Sequence, residues 1–284
     1  MNDQRFGEIQ ISEIPAERLA LIQRQALDAS HDFFVSLVFD DVLQGSGTLI
    51  DAWGSLGILT AHHVAVKLDK DPFLQVCSPL AHFPHRFEIP RECIEHIPLG
   101  IPDPQAKADG PDLSFLKLSG PEIIDCLKSR KSFYRVCGKR FDQFRVMGLE
   151  KLFWWIVGAP AEISRPMTST SNEGALMAKH LIAQAAFKSL TNQSNVDILR
   201  LVLNAGDYPF PAHYGGVSGG GVWVSSLIAE GPDADASTVD LTPCHLAGVA
   251  FYQGDLDPDN RCRVLFANGP LTLEVLLKRF ENDA

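Results

Sequence analysis

Long apolar runs are missing from this 284-residue sequence. None approaches the roughly 20 residues that carry a helix across a bilayer, so no membrane partner is expected. Positive charge is scarce: 25 Lys and Arg stand against 35 Asp and Glu, a net charge of −10. A nucleic-acid partner normally needs a basic face, and none is expected here. The opening "MNDQRFGEIQISEIPAERL" lacks the basic-then-apolar order of a secretion leader. Cys77, Cys93, Cys126, Cys137, Cys244 and Cys262 form no CxxC pair and no His/Cys ligand spacing. Neither a metal nor an organic cofactor is therefore indicated. Without a leader the cysteines read as reduced, mostly buried thiols, and a cytoplasmic location is the expectation.

The composition that remains, 45% apolar and 21% charged, is that of an ordinary folded protein. Its length suits one large domain or two smaller ones. Residues 13–29 open with Pro15 and place Leu19, Ile22 and Ala26 on one face, which predicts a helix. Phe33, Val35, Leu37 and Phe39 then alternate as in a strand. Short strands follow at 46–51, 56–60, 74–77, 113–118, 133–137, 153–158, 179–187, 196–203, 221–227 and 246–252. Residues 120–132 read as a helical connector, and 164–174 and 229–240 as exposed loops. Leu273, Leu276, Leu277 and Phe280 predict a terminal amphipathic helix. Many short strands with helices near the ends predict an all-β protein built on barrels or sandwiches.

One stretch stands apart. "AHYGGVSGGGVWV" surrounds Ser218 with Gly215, Gly216, Gly219, Gly220 and Gly221. Glycine loses more conformational freedom on folding than any other residue, so such a cluster marks a sharp bend or a close approach. It is either a plain hairpin or a bend that presents a hydroxyl. A serine hydroxyl becomes a nucleophile only beside a base, itself oriented by a third group. "GSGTLIDAWGSLGILTAHHVA" supplies adjacent histidines, His62 and His63, at the end of an apolar strand. "DGPDLSFLKL" supplies Asp112, the acid that immediately precedes an apolar strand, whereas Asp103 and Asp109 lie in turn-rich sequence.

In this order the three stretches resemble the trypsin-like (chymotrypsin-fold) serine peptidases. They are similar to that family's G-[ST]-G hairpin leading to L-T-A-A-H, its D-[LI]-x-[LV]-L strand and its G-x-S-G-G turn. The resemblance spans residues 33–255 and is specific only at these motifs. It implies two six-stranded antiparallel β-barrels with an N-terminal and a C-terminal helix. The division would be a helical segment at 1–30, a barrel at 31–130 with His63 and Asp112, and a barrel at 131–284 with Ser218. Ser218 would be the nucleophile, His63 the general base and Asp112 the group that orients it. The Gly216 and Ser218 N–H groups would form the oxyanion hole. The substrate side-chain pocket would lie near Ala212, with His213 and Tyr214 on one wall and Phe251, Tyr252 and Gln253 on the other. His62 is left to packing or solvent, and Phe153-Trp154-Trp155 to the core.

The departures are informative. Val64 stands where secreted members carry a disulfide cysteine. Val217 replaces the aspartate that pairs with a cleaved N-terminus, so no activation by trimming is expected. No acid sits at the pocket base, which disfavours a strict Lys/Arg preference and suggests a neutral side chain there. The implied activity is serine endopeptidase cleavage of a protein or peptide substrate, with narrow specificity or an activating protein partner. The alternative is a catalytically silent barrel that binds peptides or a partner. An α/β-hydrolase needs Asp and then His after the serine, and only His245 follows Ser218.

Overall fold

The computed structural model describes residues 11–39, 42–70, 72–79, 84–103, 105, 108–136, 148–167, 175–177, 181–193, 196–204, 211–229, 236–257, 259 and 261–282. Helix α1, Ala16–His31, leads into strands β1 (Phe34–Phe39), β2 (Val42–Ala52) and β3 (Ser55–Thr60). A one-turn helix α2, His62–Ala65, precedes β4 (Phe73–Pro79), β5 (Pro84–Pro90), β6 (Ile94–Gly100) and β7 (Leu113–Leu118). Helix α3, Pro121–Lys128, and β8, Tyr134–Val136, complete this half. The second half holds β9 (Phe153–Gly158), a ribbon of β10 (Arg165–Met167) and β11 (Ala175–Met177), then β12 (Leu181–Gln193), β13 (Val196–Asn204) and β14 (Gly221–Ser225). A second ribbon, β15 (Leu227–Ala229) with β16 (Val239–Leu241), precedes β17 (His245–Asp257), β18 (Cys262–Asn268) and helix α4 (Pro270–Leu277).

The second half closes into a six-stranded barrel in the order β12-β13-β18-β17-β14-β9. The first forms a curved sheet, β5-β4-β1-β2-β3-β7-β6, a half-barrel that with the closed ring gives the two-barrel all-β architecture expected. β5 and β6 stand at opposite ends of that path, yet the three-residue turn Arg91–Cys93 joins them directly, so the sheet must curl. The Arg91 guanidinium fixes this corner by donating to the Ile94 carbonyl at 2.6 Å. β8 pairs in parallel with β2, so Tyr134–Val136 belong to the first sheet. β5 and β6 went unread in the sequence because prolines and charges interrupt their alternation, and β18 went unread as well.

The alternation expected of β1 is present, but both of its faces are covered. Val35, Leu37 and Phe39 fill the first barrel with Leu49, Ile58 and Leu116. Phe34 and Val38 turn outward into a seam shared with Ile22 and Ala26 of α1, Trp155, Trp223 and Phe280. In "FWW", Phe153 and Trp155 face that seam while Trp154 fills the second barrel. Helix α1 is pinned there as well: Arg18 pairs with Asp240 at 2.6 Å, and Trp155 Nε1 donates to Ser30 Oγ at 3.1 Å. The start of α4 is capped by the Asp197 carboxylate, which accepts from the Leu271 and Thr272 amides at 3.1 and 2.7 Å. Negative charge at the exposed N–H groups of a helix start is favourable.

Cys93, Cys126, Cys244 and Cys262 are free thiols. They are half-buried, not fully buried. Cys137 and the side chain of Cys77 lie outside the described residues. No described helix is long and apolar enough to cross a membrane.

Candidate active site

β3 runs into Ala61, and the chain then turns into α2, so His62 and His63 sit on a helical turn and not on the strand end expected. Successive helical side chains diverge by about 100°, and the two rings part company. His62 Nδ1 shares a hydrogen bond of 2.9 Å with the Ser114 hydroxyl, which also meets His96 Nε2 at 3.0 Å. His63 turns to Asp112. Its amide donates to Asp112 Oδ1 at 3.0 Å and its Nδ1 meets Oδ2 at 2.6 Å. One carboxylate thus holds both the backbone and the ring of the same residue. Because a carboxylate can only accept, Nδ1 carries the proton and the neutral ring keeps its lone pair on Nε2. The Asp112 side chain is 6% exposed and that of His63 43%, so the acid is buried and the ring reaches solvent.

Asp112 is held from the second barrel. Its amide donates to Asn268 Oδ1 at 3.1 Å, and Asn268 Nδ2 donates back to the Asp112 carbonyl at 2.9 Å. No sequence signal marked Asn268, which ends a strand that was itself unread.

The Ser218 turn meets the first barrel at Gly45-Ser46-Gly47, which lies within strand β2 and not at the hairpin expected. The Ser46 amide donates to the Ser218 carbonyl at 2.8 Å, and its hydroxyl donates to the Gly216 carbonyl at 2.8 Å. A methyl group on Gly45 would lie 2.6 Å from Val64 and 3.0 Å from the Ser218 carbonyl oxygen. The residue after His63 and the backbone of Ser218 are therefore separated by one glycine. On Gly219 (φ +91°) a methyl group would lie 1.9 Å from the Ser46 carbonyl oxygen. These glycines answer to close approach between barrels.

Within the turn, the amides of Val217, Gly219 and Gly220 donate to Tyr214, Ala250 and Val217 carbonyls. The Gly216 and Ser218 amides have no hydrogen-bond acceptor among the described residues. Gly216 has φ +90°, a conformation that leaves glycine unstrained. The Ser218 hydroxyl donates to the Phe251 carbonyl at 3.3 Å and makes no hydrogen bond to His63.

The six residues expected around the substrate divide into two groups. Tyr214 and Phe251 are 2% and 3% exposed, with side chains in the second-barrel and first-barrel cores respectively. The Tyr214 hydroxyl bonds the Asn204 carbonyl, and burial raises its pKa. Neither ring forms a wall: Tyr214, in the loop before the Ser218 turn, and Phe251, on β17, both turn into the cores, and Phe251 offers its carbonyl instead. Ala212, His213, Tyr252 and Gln253 stay at the surface. Gln253 Oε1 accepts from the Tyr214 amide at 2.7 Å, and Tyr252 packs on Phe266. Arg263, absent from the sequence reading, ties these segments together through bonds to Ala212, His213 and Gly254. No metal-holding cluster of His, Cys, Asp or Glu occurs among the described residues.

Two antiparallel β units thus meet along a seam, with His63 and Asp112 on one side and the Ser218 turn on the other. The fold is trypsin-like. No protein-family model and no curated protein matches the chain. Among solved structures, it is similar to the HtrA-type protease AlgW with decapeptide at 14% identity and a TM-score of 0.48, over 91% of this chain and 67% of that one. It is also similar to AlgW with tripeptide, at 16% identity and a TM-score of 0.46, over 92% of this chain and 64% of that one. Neuropsin, a serine protease expressed in the limbic system of mouse brain, matches at 13% identity and a TM-score of 0.43. That match covers 89% of this chain and 96% of the other. The chain spans about two thirds of the AlgW chains. These values transfer no residue roles.

Proposed function

We propose that the chain is a serine endopeptidase that cleaves peptide bonds through Ser218, His63 and Asp112. The observation that carries this reading is the double grip of one buried carboxylate on the His63 amide and ring. That grip fixes the tautomer in which Nε2 can take a proton, as general-base catalysis at a hydroxyl requires. Ser218 Oγ would attack the substrate carbonyl carbon while its proton passes to His63 Nε2. The carbonyl π electrons move onto oxygen, and the free Gly216 and Ser218 amides are the donors available to that oxyanion. The imidazolium then returns the proton to the departing amine, leaving an acyl-enzyme. Water attacks that ester by the same route and restores the serine.

The hydroxyl's bond to the Phe251 carbonyl favours a second reading, a barrel that binds peptides without cutting them. The two readings meet if a bound peptide N–H takes the Phe251 carbonyl and releases the hydroxyl toward the imidazole. Such alignment by substrate or by a protein partner would keep the enzyme quiet until engaged. A fluorophosphonate probe separates the cases. The peptidase reading expects labelling that Ser218→Ala abolishes, whether unaided or only with peptide present. Absence of labelling under both conditions favours the binding module. Robust digestion of casein by the isolated protein would refute narrow specificity.

A further inference from the structure

We propose that the site selects a carboxylate side chain, Glu or Asp, at the residue whose carbonyl is attacked, with Arg263 as the specificity-determining cation. This rests on the peptidase reading above. Arg263 is 8% exposed. Its Nε donates to the Ala212 carbonyl at 2.5 Å, its Nη1 to the Gly254 carbonyl at 2.9 Å and its Nη2 to His213 Nδ1 at 3.1 Å. The guanidinium therefore spans from Ala212 and His213, on one wall expected of the substrate side-chain pocket, to Gly254, the residue after the Phe251–Gln253 wall expected opposite.

A buried charge is normally paired with an opposite one. All three Arg263 acceptors are neutral, and it has no ion-pair partner among the described residues. Neither nearby acid bonds to it: Glu162 accepts from the Ala212 and His213 amides, at 3.1 and 2.7 Å, and Asp255 is exposed. A guanidinium has five N–H groups, so three bonds leave two donors. The same bonding fixes His213. Arginine can only donate, so Nδ1 must accept, and the neutral ring carries its proton on Nε2. His213 is exposed and adds a third donor. Spare donors and a buried positive charge with no direct ion-pair partner among the described residues match an acceptor-only carboxylate. An Arg or Lys side chain would meet like charge. This replaces the neutral preference expected from the sequence, in which Arg263 lay 50 positions from His213.

Fluorogenic peptides that differ only by Glu, Gln, Leu or Arg at the attacked residue provide the test. Charge-assisted bonds favour Glu over the isosteric Gln by about 10- to 100-fold in kcat/KM. Arg263→Gln, checked for folding by circular dichroism, should bring that ratio near one, while Arg263→Lys should retain part of it. If the variants fail to fold, the wild-type Glu/Gln ratio decides alone. Ser218-dependent fluorophosphonate labelling with no preference for Glu overturns the proposal and leaves the peptidase reading standing. If labelling is absent, calorimetric binding of the Glu and Gln peptides to Ser218→Ala becomes the readout. Tighter binding of Glu supports the carboxylate site, and equal or absent binding overturns it.

Discussion

Replacing Asn268 by alanine should damage stability and chemistry together, although residue 268 touches neither His63 nor Ser218. Asn268 is fully buried and Asp112 is 4% exposed. The side chain accepts from the Asp112 amide at 3.1 Å and donates to its carbonyl at 2.9 Å. Alanine leaves both backbone groups without partners in a space closed to solvent. Each such loss costs about 1–3 kcal/mol, so the pair costs about 2–6 kcal/mol. Domain stabilities of about 5–15 kcal/mol leave most of that range compatible with a folded variant. The chemical effect follows from position. Asp112 aims the imidazole, and a misplacement of about 1 Å costs on the order of 10²-fold in rate. Urea unfolding of Asn268→Ala should show the destabilisation at unchanged m-value. In native buffer, fluorophosphonate labelling of Ser218 should slow by about 10- to 100-fold. An unfolding free energy within about 0.5 kcal/mol of wild type, together with an unchanged labelling rate, would refute the inter-barrel grip.

Asp112→Asn keeps the shape but presents an amide to His63, which reverses the ring tautomer and turns Nε2 into a donor. Turnover and labelling should fall by about 10⁴-fold with the circular dichroism spectrum unchanged, and a loss below tenfold would contradict the assigned base. Lys131, 5% exposed, donates to the His31 carbonyl at 2.9 Å, and desolvation lowers its pKa from 10.5 to about 8 against the opposing charge of Asp32. Between those values the unfolded chain binds a proton that the folded chain has shed, so Lys131 makes stability rise with pH through that window. Burial raises the Tyr214 and Cys244 pKa values and acts in the opposite sense, so the measurement is the difference between wild type and Lys131→Met. That difference should move in wild type's favour by about 3 kcal/mol from about pH 7.5 to about 10.5, as followed by urea midpoints, and a flat difference would rule the effect out.

The sequence alone was enough to specify the local elements whose cause is local. Leu19, Ile22 and Ala26 marked α1, the apolar strands at 113–118 and 153–158 appeared at their expected bounds, and the glycines around Ser218 marked a turn. It also singled out His63 and Asp112, which lie 49 residues apart in the chain and are joined by two hydrogen bonds in space. What it left open belongs to pairings between distant segments. Asn268 behind Asp112 and Arg263 bonded to His213 are polar side chains in a strand, with nothing in their neighbours to distinguish them, and the glycines beside Ser46 marked it without naming the Ser218 turn as its partner. Tyr214 and Phe251 read as pocket walls through the family resemblance, and the fold turns their rings into the cores. Hydrophobic period and backbone preference act over a few residues and are written in the chain. The partner of a buried polar group is chosen by which strands the closed sheet brings together, and only the tertiary structure decides that.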